Sequence, residues 1–292
     1  MPPSVLNGRL FSLEGLVLDR TQTHRLFFAR RMTSQAGIAP GSELETALAS
    51  TPRERYVGPP PWMIFARSGH APTFSDDPAL LYQDVVVSLG GGGGFNNGQP
   101  SLHVYCLAAL DVKKGERVVH VGAGTGYYTA LLEKLVGEGG RVDAYEIEPE
   151  FARRAAENLA EFPVVVVHSR SGAQGPLPVC DVLYVNAGAT EPLQVWLDAL
   201  QPQGRLLFPM TSADGAGAML LITKLEDGRL AARFLLQVQF VPCIGARDET
   251  TAQRLSDAFR NNEWTKVRAL RLDDAPDESC WFSGKGWWLS TR

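Results

Sequence analysis

The sequence predicts an α/β fold: a doubly wound, mainly parallel sheet ending in an antiparallel hairpin, with a small helical N-terminal prefix and a C-terminal extension. Three observations carry that expectation. Between residues 101 and 208, short apolar runs alternate with helical patterns, the order that sets parallel strands beside crossover helices. One junction, Arg117-Val-Val-His-Val-Gly-Ala-Gly-Thr-Gly126, joins an apolar run to a glycine turn and then to the helical spacing of Leu131, Leu132, Leu135 and Val136. Further on, the apolar runs at 219–225 and 230–241 are joined by Glu226-Asp-Gly-Arg229, a hairpin signal.

Residues 1 to about 20 carry little periodic signal and are expected to be loosely held. Two helical segments follow between 21 and 49, one with Leu26, Phe27 and Met32 and one with Leu44, Ala47 and Leu48, separated by Ile38-Ala-Pro-Gly-Ser42. Gly58-Pro-Pro-Pro-Trp62 closes this prefix, and 63–84 reads as irregular. Val85-Val-Val-Ser-Leu89 then runs into five glycines, Gly90 to Gly94, and into Phe95-Asn-Asn-Gly-Gln-Pro-Ser101. A glycine run has high chain entropy and builds no core, so a mobile loop is expected, either a plain linker or a lid. The polar Asn96-Asn97-Gly98-Gln99 cluster just before a helix favours the lid or substrate loop.

That helix, 101–110, presents Leu102, Cys106, Leu107 and Leu110 on one side and leads into the central strand. After the second strand, Glu148-Pro149 starts a helix through 159. The run 164–167 is fully apolar, as expected of a parallel strand buried on both faces. A strand at 180–185, the loop Asn186-Ala-Gly-Ala-Thr190, a helix at 192–200 and a strand at 205–208 complete the alternation. The tail adds a helix at 251–259 and Trp264, Trp281, Trp287 and Trp288, which are expected to pack in the core or at an edge. The expected divisions are a prefix at 1–84, a cofactor domain at 85–247 and an extension at 248–292.

The glycine turn indicates the chemistry. Gly122 lets the chain turn sharply, and the next two glycines, Gly124 and Gly126, let a ligand approach the backbone at a helix N-terminus. The strand Arg141-Val-Asp-Ala-Tyr-Glu146 ends in a carboxylate twenty residues after Gly126, where two charge-assisted hydrogen bonds can hold a ribose diol. Tyr127 stands where a dinucleotide fingerprint places its third glycine, which disfavours NAD and leaves an NAD-linked oxidoreductase as the lesser alternative. A mainly parallel sheet binds ligands at its C-terminal strand ends, so Thr125, Tyr127, Ile147, Ser169 and Asn186 join the three glycines and Glu146 as candidate cofactor contacts.

A net charge of −4 with scattered Lys and Arg leaves no electrostatic footprint for nucleic acid or an acidic membrane. Apolar runs are strand-length and the N-terminus lacks an apolar signal core, so a cytoplasmic location is expected. The four cysteines, Cys106, Cys180, Cys243 and Cys280, are far apart without a C-x-x-C pair, so reduced thiols are expected and no metal site. His120 lies within the central strand and is expected to be packed and hydrogen-bonded, while His103 lies beside the proposed substrate loop.

Together these motifs resemble the class I S-adenosylmethionine-dependent methyltransferases, and more closely the protein-L-isoaspartate O-methyltransferase family. The resemblance runs from about residue 51 to 245 and includes Thr51-Pro-Arg-Glu-Arg-Tyr-Val57, the glycine motif with Tyr127, Glu146, residues 200–209 and Gln239-Phe-Val-Pro242. It implies a Rossmann-like methyltransferase fold, S-adenosylmethionine as cofactor, and carboxyl O-methylation of isoaspartyl-type residues in proteins or peptides. By position, the glycine loop at Gly122, Gly124 and Gly126 holds the methionine part and Glu146 the ribose. Two places depart from the family pattern. Alignment on Pro100 puts Gly98 where the family carries a hallmark serine, with Ser101 as a nearby hydroxyl. His168-Ser169-Arg170 stands where an acid for the adenine amine is usual. Asn97, Gly98 and Ser101 are therefore the candidate acceptor-side residues. The alternatives left open are another small-molecule or peptide acceptor on the same scaffold, or a non-catalytic cofactor-binding module.

Overall fold

Val118, Val119 and Val121 alternate faces along a strand that occupies the interior of the sheet, and every residue of it after Arg117 is buried. The computed structural model describes residues 20–66, 69–90, 94–260, 262–273 and 275–292. In chain order, the prefix forms α1 (Arg20–Gln35), α2 (Glu43–Ser50) and α3 (Glu54–Val57). An antiparallel pair, β1 (Met63–Ala66) and β2 (Gly69–Pro72), and a 3-10 turn at Pro78–Leu81 follow. Next come α4 (Pro100–Leu110), β3 (Arg117–Val121), α5 (Tyr127–Val136), β4 (Arg141–Glu146), α6 (Pro149–Asn158), β5 (Val165–Ser169) and β6 (Cys180–Val185). The chain finishes with α7 (Gln194–Ala199), β7 (Leu200–Thr211), β8 (Ala216–Lys224), β9 (Leu230–Gln239), α8 (Glu249–Ala258), β10 (Ala269–Arg271), β11 (Cys280–Gly284) and β12 (Trp287–Ser290).

Among the described residues, ten strands make one sheet in the order β11-β12-β10-β9-β8-β7-β6-β3-β4-β5. The five strands from β7 through β6, β3 and β4 to β5 are parallel, and β7, β8 and β9 continue as an antiparallel meander. The expected doubly wound sheet with a terminal hairpin is therefore present. It extends further than expected, because β10 pairs with β9 and the tail adds three more strands.

Each face of the sheet buries its own core. Leu183, Phe208 and Ile222 pack with Trp196 and with Trp264, Trp287 and Leu289 of the tail. On the other face, Val118, Val182 and Leu207 meet α4 and α5 and the prefix residues Phe28, Met32, Leu44 and Leu48. Trp264 and Trp287 are thus core residues, and Trp288 is also buried, as expected. Burying an aromatic side chain of this size contributes roughly 2–3 kcal/mol.

Several sequence readings shift. In α1 the buried stripe is Phe28, Ala29, Met32 and Thr33, whereas Leu26 and Phe27 are 40% and 65% exposed; the helical stripe is displaced by one residue from the apolar pair that suggested it. Residues 63–84 are not wholly irregular, since β1, β2 and the 3-10 turn lie there. The apolar run of β5 is only partly buried because β5 is an edge strand. The expectation of looseness before residue 20, and most of the glycine run (91–93), lie outside the described residues.

The prefix is anchored by Arg53, whose guanidinium is buried against the rings of Phe28 and Tyr127. It donates to the carbonyls of Leu81, Gln83 (3.0 Å) and Val85 (3.2 Å), fixing the strap that leads to the loop before α4. We expect Arg53→Ala to lower stability by about 3 kcal/mol, since three carbonyls lose their donor. A urea midpoint shifted by less than about 1 kcal/mol would show that the strap holds without it.

Candidate functional site

A cleft of about 1350 Å³ opens at the C-terminal ends of β3, β4 and β6. Its floor on the cofactor side is the glycine turn. Gly122, Gly124 and Gly126 all have positive φ, at 75°, 57° and 97°, so the tight turn requires glycine. The N–H groups of Gly122 and Ala123 donate to the Tyr145 carbonyl at 2.9 and 3.1 Å, which ties the turn to the neighbouring strand β4.

Glu146 ends β4 and points back at that turn. Its Oε2 accepts from the Gly124 N–H at 2.7 Å and its Oε1 from the Glu148 N–H at 3.0 Å. Burial raises its pKa, while those backbone donors oppose the rise. Each oxygen retains a second lone pair, the arrangement needed to accept two ribose hydroxyls. Thr125 is buried and its hydroxyl donates to the Tyr56 carbonyl at 2.5 Å, so the turn is also tied to the prefix. Tyr127 lines the cleft, with its ring edge-on to Tyr56 and Tyr128.

Asn186 follows β6. Its backbone N–H donates to the Val121 carbonyl at 2.8 Å, and its side-chain N–H donates to His120 Nε2 at 2.7 Å. His120 in turn meets Thr129 Oγ1 through Nδ1 at 2.9 Å. Burial pushes the His120 pKa down to about 3, so the ring is neutral and structural, as expected from its place in the strand. The Asn186 Oδ1 is buried beside the cleft with no partner among the described residues, an acceptor suited to an ammonium group. This orphaned oxygen, the close-approach turn and the Glu146 carboxylate fit S-adenosylmethionine, with Ile147, 38% exposed, offering an apolar side chain at the rim.

Two candidates lie away from the cleft lining. Gly126 is the N-cap of α5, and its Cα faces Leu159, where a Cβ would come within 2.8 Å; it shapes the turn and does not line the cleft. Ser169 is exposed at the end of β5 and also does not line it. The chain bends past His168, whose Nε2 engages Asp143 at 2.9 Å, and Arg170 lies over the Tyr145 ring. Ser171 and Gly172 reach the cleft in their place. A Cβ at Gly172 would lie 2.6 Å from Val121, which is why the chain passes so close there.

Another part of the cleft wall is built from the loop before α4. Asn97 is buried; its Oδ1 accepts from the Val87 N–H at 2.9 Å, and its Nδ2 is buried beside the cleft with no partner among the described residues. Gly98 has φ +69° and its N–H donates to Asn96 Oδ1 at 2.8 Å. Ser101 lines the cleft, but its hydroxyl donates to Asp84 Oδ2 at 2.7 Å and its N–H to Asp84 Oδ1 at 2.8 Å. Asp84 thus caps α4 from a distant segment. The reading of Ser101 as a replacement for the hallmark hydroxyl is corrected by that capping bond. Asp84 carries no local motif, and only the fold brings it to Ser101. The tail also contributes: Ser256, Phe259 and Arg260, at the end of α8 and just beyond it, line the cleft.

The model of the family "Protein-L-isoaspartate(D-aspartate) O-methyltransferase (PCMT)" matches residues 31–248. A protein-L-isoaspartate O-methyltransferase of Aeropyrum pernix is 33% identical over 74% of this chain and 78% of its own length. One from Anaeromyxobacter dehalogenans is 32% identical over 67% and 86%. Among solved structures, a protein-L-isoaspartate O-methyltransferase superposes with a TM-score of 0.63 at 21% identity, covering 82% of this chain and 69% of the other. A Plasmodium falciparum protein of that name, in complex with S-adenosyl-L-homocysteine, gives 0.59 at 19% identity, covering 76% and 98%. These two establish the shared fold. With the family match spanning the sheet, the glycine turn and Glu146, the chain belongs to the protein-L-isoaspartate O-methyltransferase family and is an S-adenosylmethionine-dependent methyltransferase.

Proposed function

We propose that this enzyme methylates the side-chain carboxylate of isoaspartyl-type residues in proteins or peptides. The observation that carries this reading is the buried, unpartnered Nδ2 of Asn97, a donor beside the acceptor half of the cleft. The cleft walls also offer amides, hydroxyls and aromatics such as Gln99, Ser212, Phe65 and Phe240 among aliphatic side chains, suited to an extended peptide. The family membership points to the same substrate class.

S-adenosylmethionine, when bound, supplies a methyl group on a sulfonium and so carries the electrophile. A carboxylate acceptor with a pKa of about 4 is already ionised at neutral pH and needs no base. The protein's work is then alignment and water exclusion, which supply roughly 7–11 kcal/mol at most. Asn97 Nδ2 orients the acceptor oxygen, and Glu146 with the glycine turn fixes the cofactor end. A second reading, another acceptor on the same scaffold, draws on Gly98 in place of the hallmark serine.

Transfer of radiolabelled methyl to an isoaspartyl peptide, with base-labile methanol release, tests the proposal; the normal aspartyl peptide is expected to remain unlabelled. Labelling of neither peptide alongside S-adenosylhomocysteine binding by calorimetry would favour the second reading. Glu146→Ala is expected to raise the cofactor Kd by about 10- to 100-fold, because two hydrogen bonds to a charged group are lost; an unchanged Kd would remove Glu146 from the site. Asn97→Ala should lower kcat about tenfold with a smaller change in cofactor Kd. Equal loss of both would sink that assignment.

A further inference from the structure

We propose that the open edge of β9 at Gln237–Gln239 docks the stretch of substrate polypeptide that flanks the methyl acceptor, which adds there as a further strand of the sheet. The inference rests on the peptide-carboxylate reading and adds to it the surface that grips the main chain.

One edge of β9 is paired with β8 from end to end, Leu230 opposite Lys224 and Gln239 opposite Ala216. The other edge is covered at its start. Leu230 and Ala231 lie opposite Leu270 and Ala269 of β10, and the Ala232 N–H donates to the Arg268 carbonyl at 2.8 Å. Among the described residues, no strand continues along that edge beyond β10. A bulge divides the covered part from the open part, since Leu220 lies opposite Phe234 but Ala218 lies opposite Gln237.

The ladder fixes the direction of the open groups. The Phe240 N–H donates to the Gly215 carbonyl at 3.1 Å, so Phe240 turns its main chain toward β8. Hydrogen-bonded and non-hydrogen-bonded pairs alternate along an antiparallel ladder, so Val238 does the same, while Gln237 and Gln239 turn their main chains away. Each of these two presents an N–H and a carbonyl to the open side, and both residues are exposed and line the cleft. Unpaired groups of this kind are a template for another strand, and proteins commonly blunt them with charge or proline. The segment Phe234-Leu-Leu-Gln-Val-Gln239 has neither.

The two faces of this edge differ. Leu236 and Val238 belong to the face packed by α4, where Tyr105, 38% exposed, lines the cleft. Phe234 belongs to the opposite face and meets Phe259 of the extension edge-on at 5.6 Å. Side chains of a docked strand point alternately to the α4 face and to the extension. The edge also leads to the acceptor position. The ring of Phe240 meets that of His103 edge-on at 6.3 Å, and the His103 ring abuts Gly98, the neighbour of Asn97. An isoaspartyl linkage adds one main-chain carbon and so breaks the two-residue repeat of a strand, which leaves one flank of the substrate to dock.

The test uses the full-length protein loaded with S-adenosylhomocysteine and a blocked Ala-isoAsp-Ala peptide, alone or lengthened on one side or the other by Val-Ser-Val-Ser. Calorimetry is expected to show one lengthened peptide binding about 10- to 100-fold more tightly than the short one, as two or three main-chain hydrogen bonds would give. N-methylation along that flank should weaken binding about fivefold or more at alternate residues and leave the intervening ones unchanged within about twofold. Amide hydrogen exchange should slow at Gln237 and Gln239 in the complex and stay as it was at Val238. Equal affinities for short and lengthened peptides, a response to N-methylation without alternation, or Gln237 and Gln239 amides that stay unprotected would each overturn the proposal. Methyl transfer from S-adenosylmethionine separates the two readings. Protection and alternation without transfer to any peptide would leave the docking edge standing and reject the isoaspartyl reading, whereas transfer with equal kcat/KM for short and lengthened peptides would keep that reading and overturn the docking edge.

Discussion

A column of buried rings joins the two halves of the cleft: His120 between Thr129 and Asn186, Tyr184 stacked on it, and His103 bonded to the Tyr184 hydroxyl. His120 and Tyr184 come from neighbouring parallel strands at directly paired positions, so the register of β3 against β6 sets the column. Asn186, one end of it, faces the cofactor side, and His103, the other, faces the acceptor loop. His103, His120, Tyr184 and Thr129 are uncharged and buried, which makes the column costly to disturb. The column thus ties the Asn186 side of the cleft to the Gly98 side through paired strands of the sheet.

The cofactor half was legible in the sequence because its parts are close in the chain. A strand, three glycines, a helix and a carboxylate twenty residues on form one βαβ unit, and the structure closes it with the Gly124 to Glu146 bond. The acceptor half was legible only in outline. Ser101 reads as a free hydroxyl until Asp84, seventeen residues earlier, is seen to occupy it. Ser169 ends a strand and so reads as a ligand, but the chain crosses the cleft two residues later, at Ser171. The tail read as an appendage because nothing in a short strand such as Ala269–Arg271 announces that its partner is β9, some forty residues upstream. In each case the missing information is a contact between segments, which local periodicity does not encode.

The family match ends at residue 248, yet the cleft does not. Ser256, Phe259 and Arg260 line it, and Phe259 is fixed edge-on by Phe234 and Trp264 and by a tilted contact with Trp281. The extra strands β10 to β12 hold that cluster against β9. The extension therefore contributes to the wall of the same cleft that the glycine turn and Glu146 line.

The two neutral histidines of the column also make the native state sensitive to acid. Both are held down to about 3, whereas an unfolded chain binds these protons near 6.5. Between those limits the unfolded state carries more protons, so native stability falls as pH falls, by roughly 1.4 kcal/mol per unit for each ring. The loss is absent above about pH 6.5 and greatest near pH 3. The same neutrality leaves two latent proton sites, one on β3 and one on α4, exposed only when the fold opens.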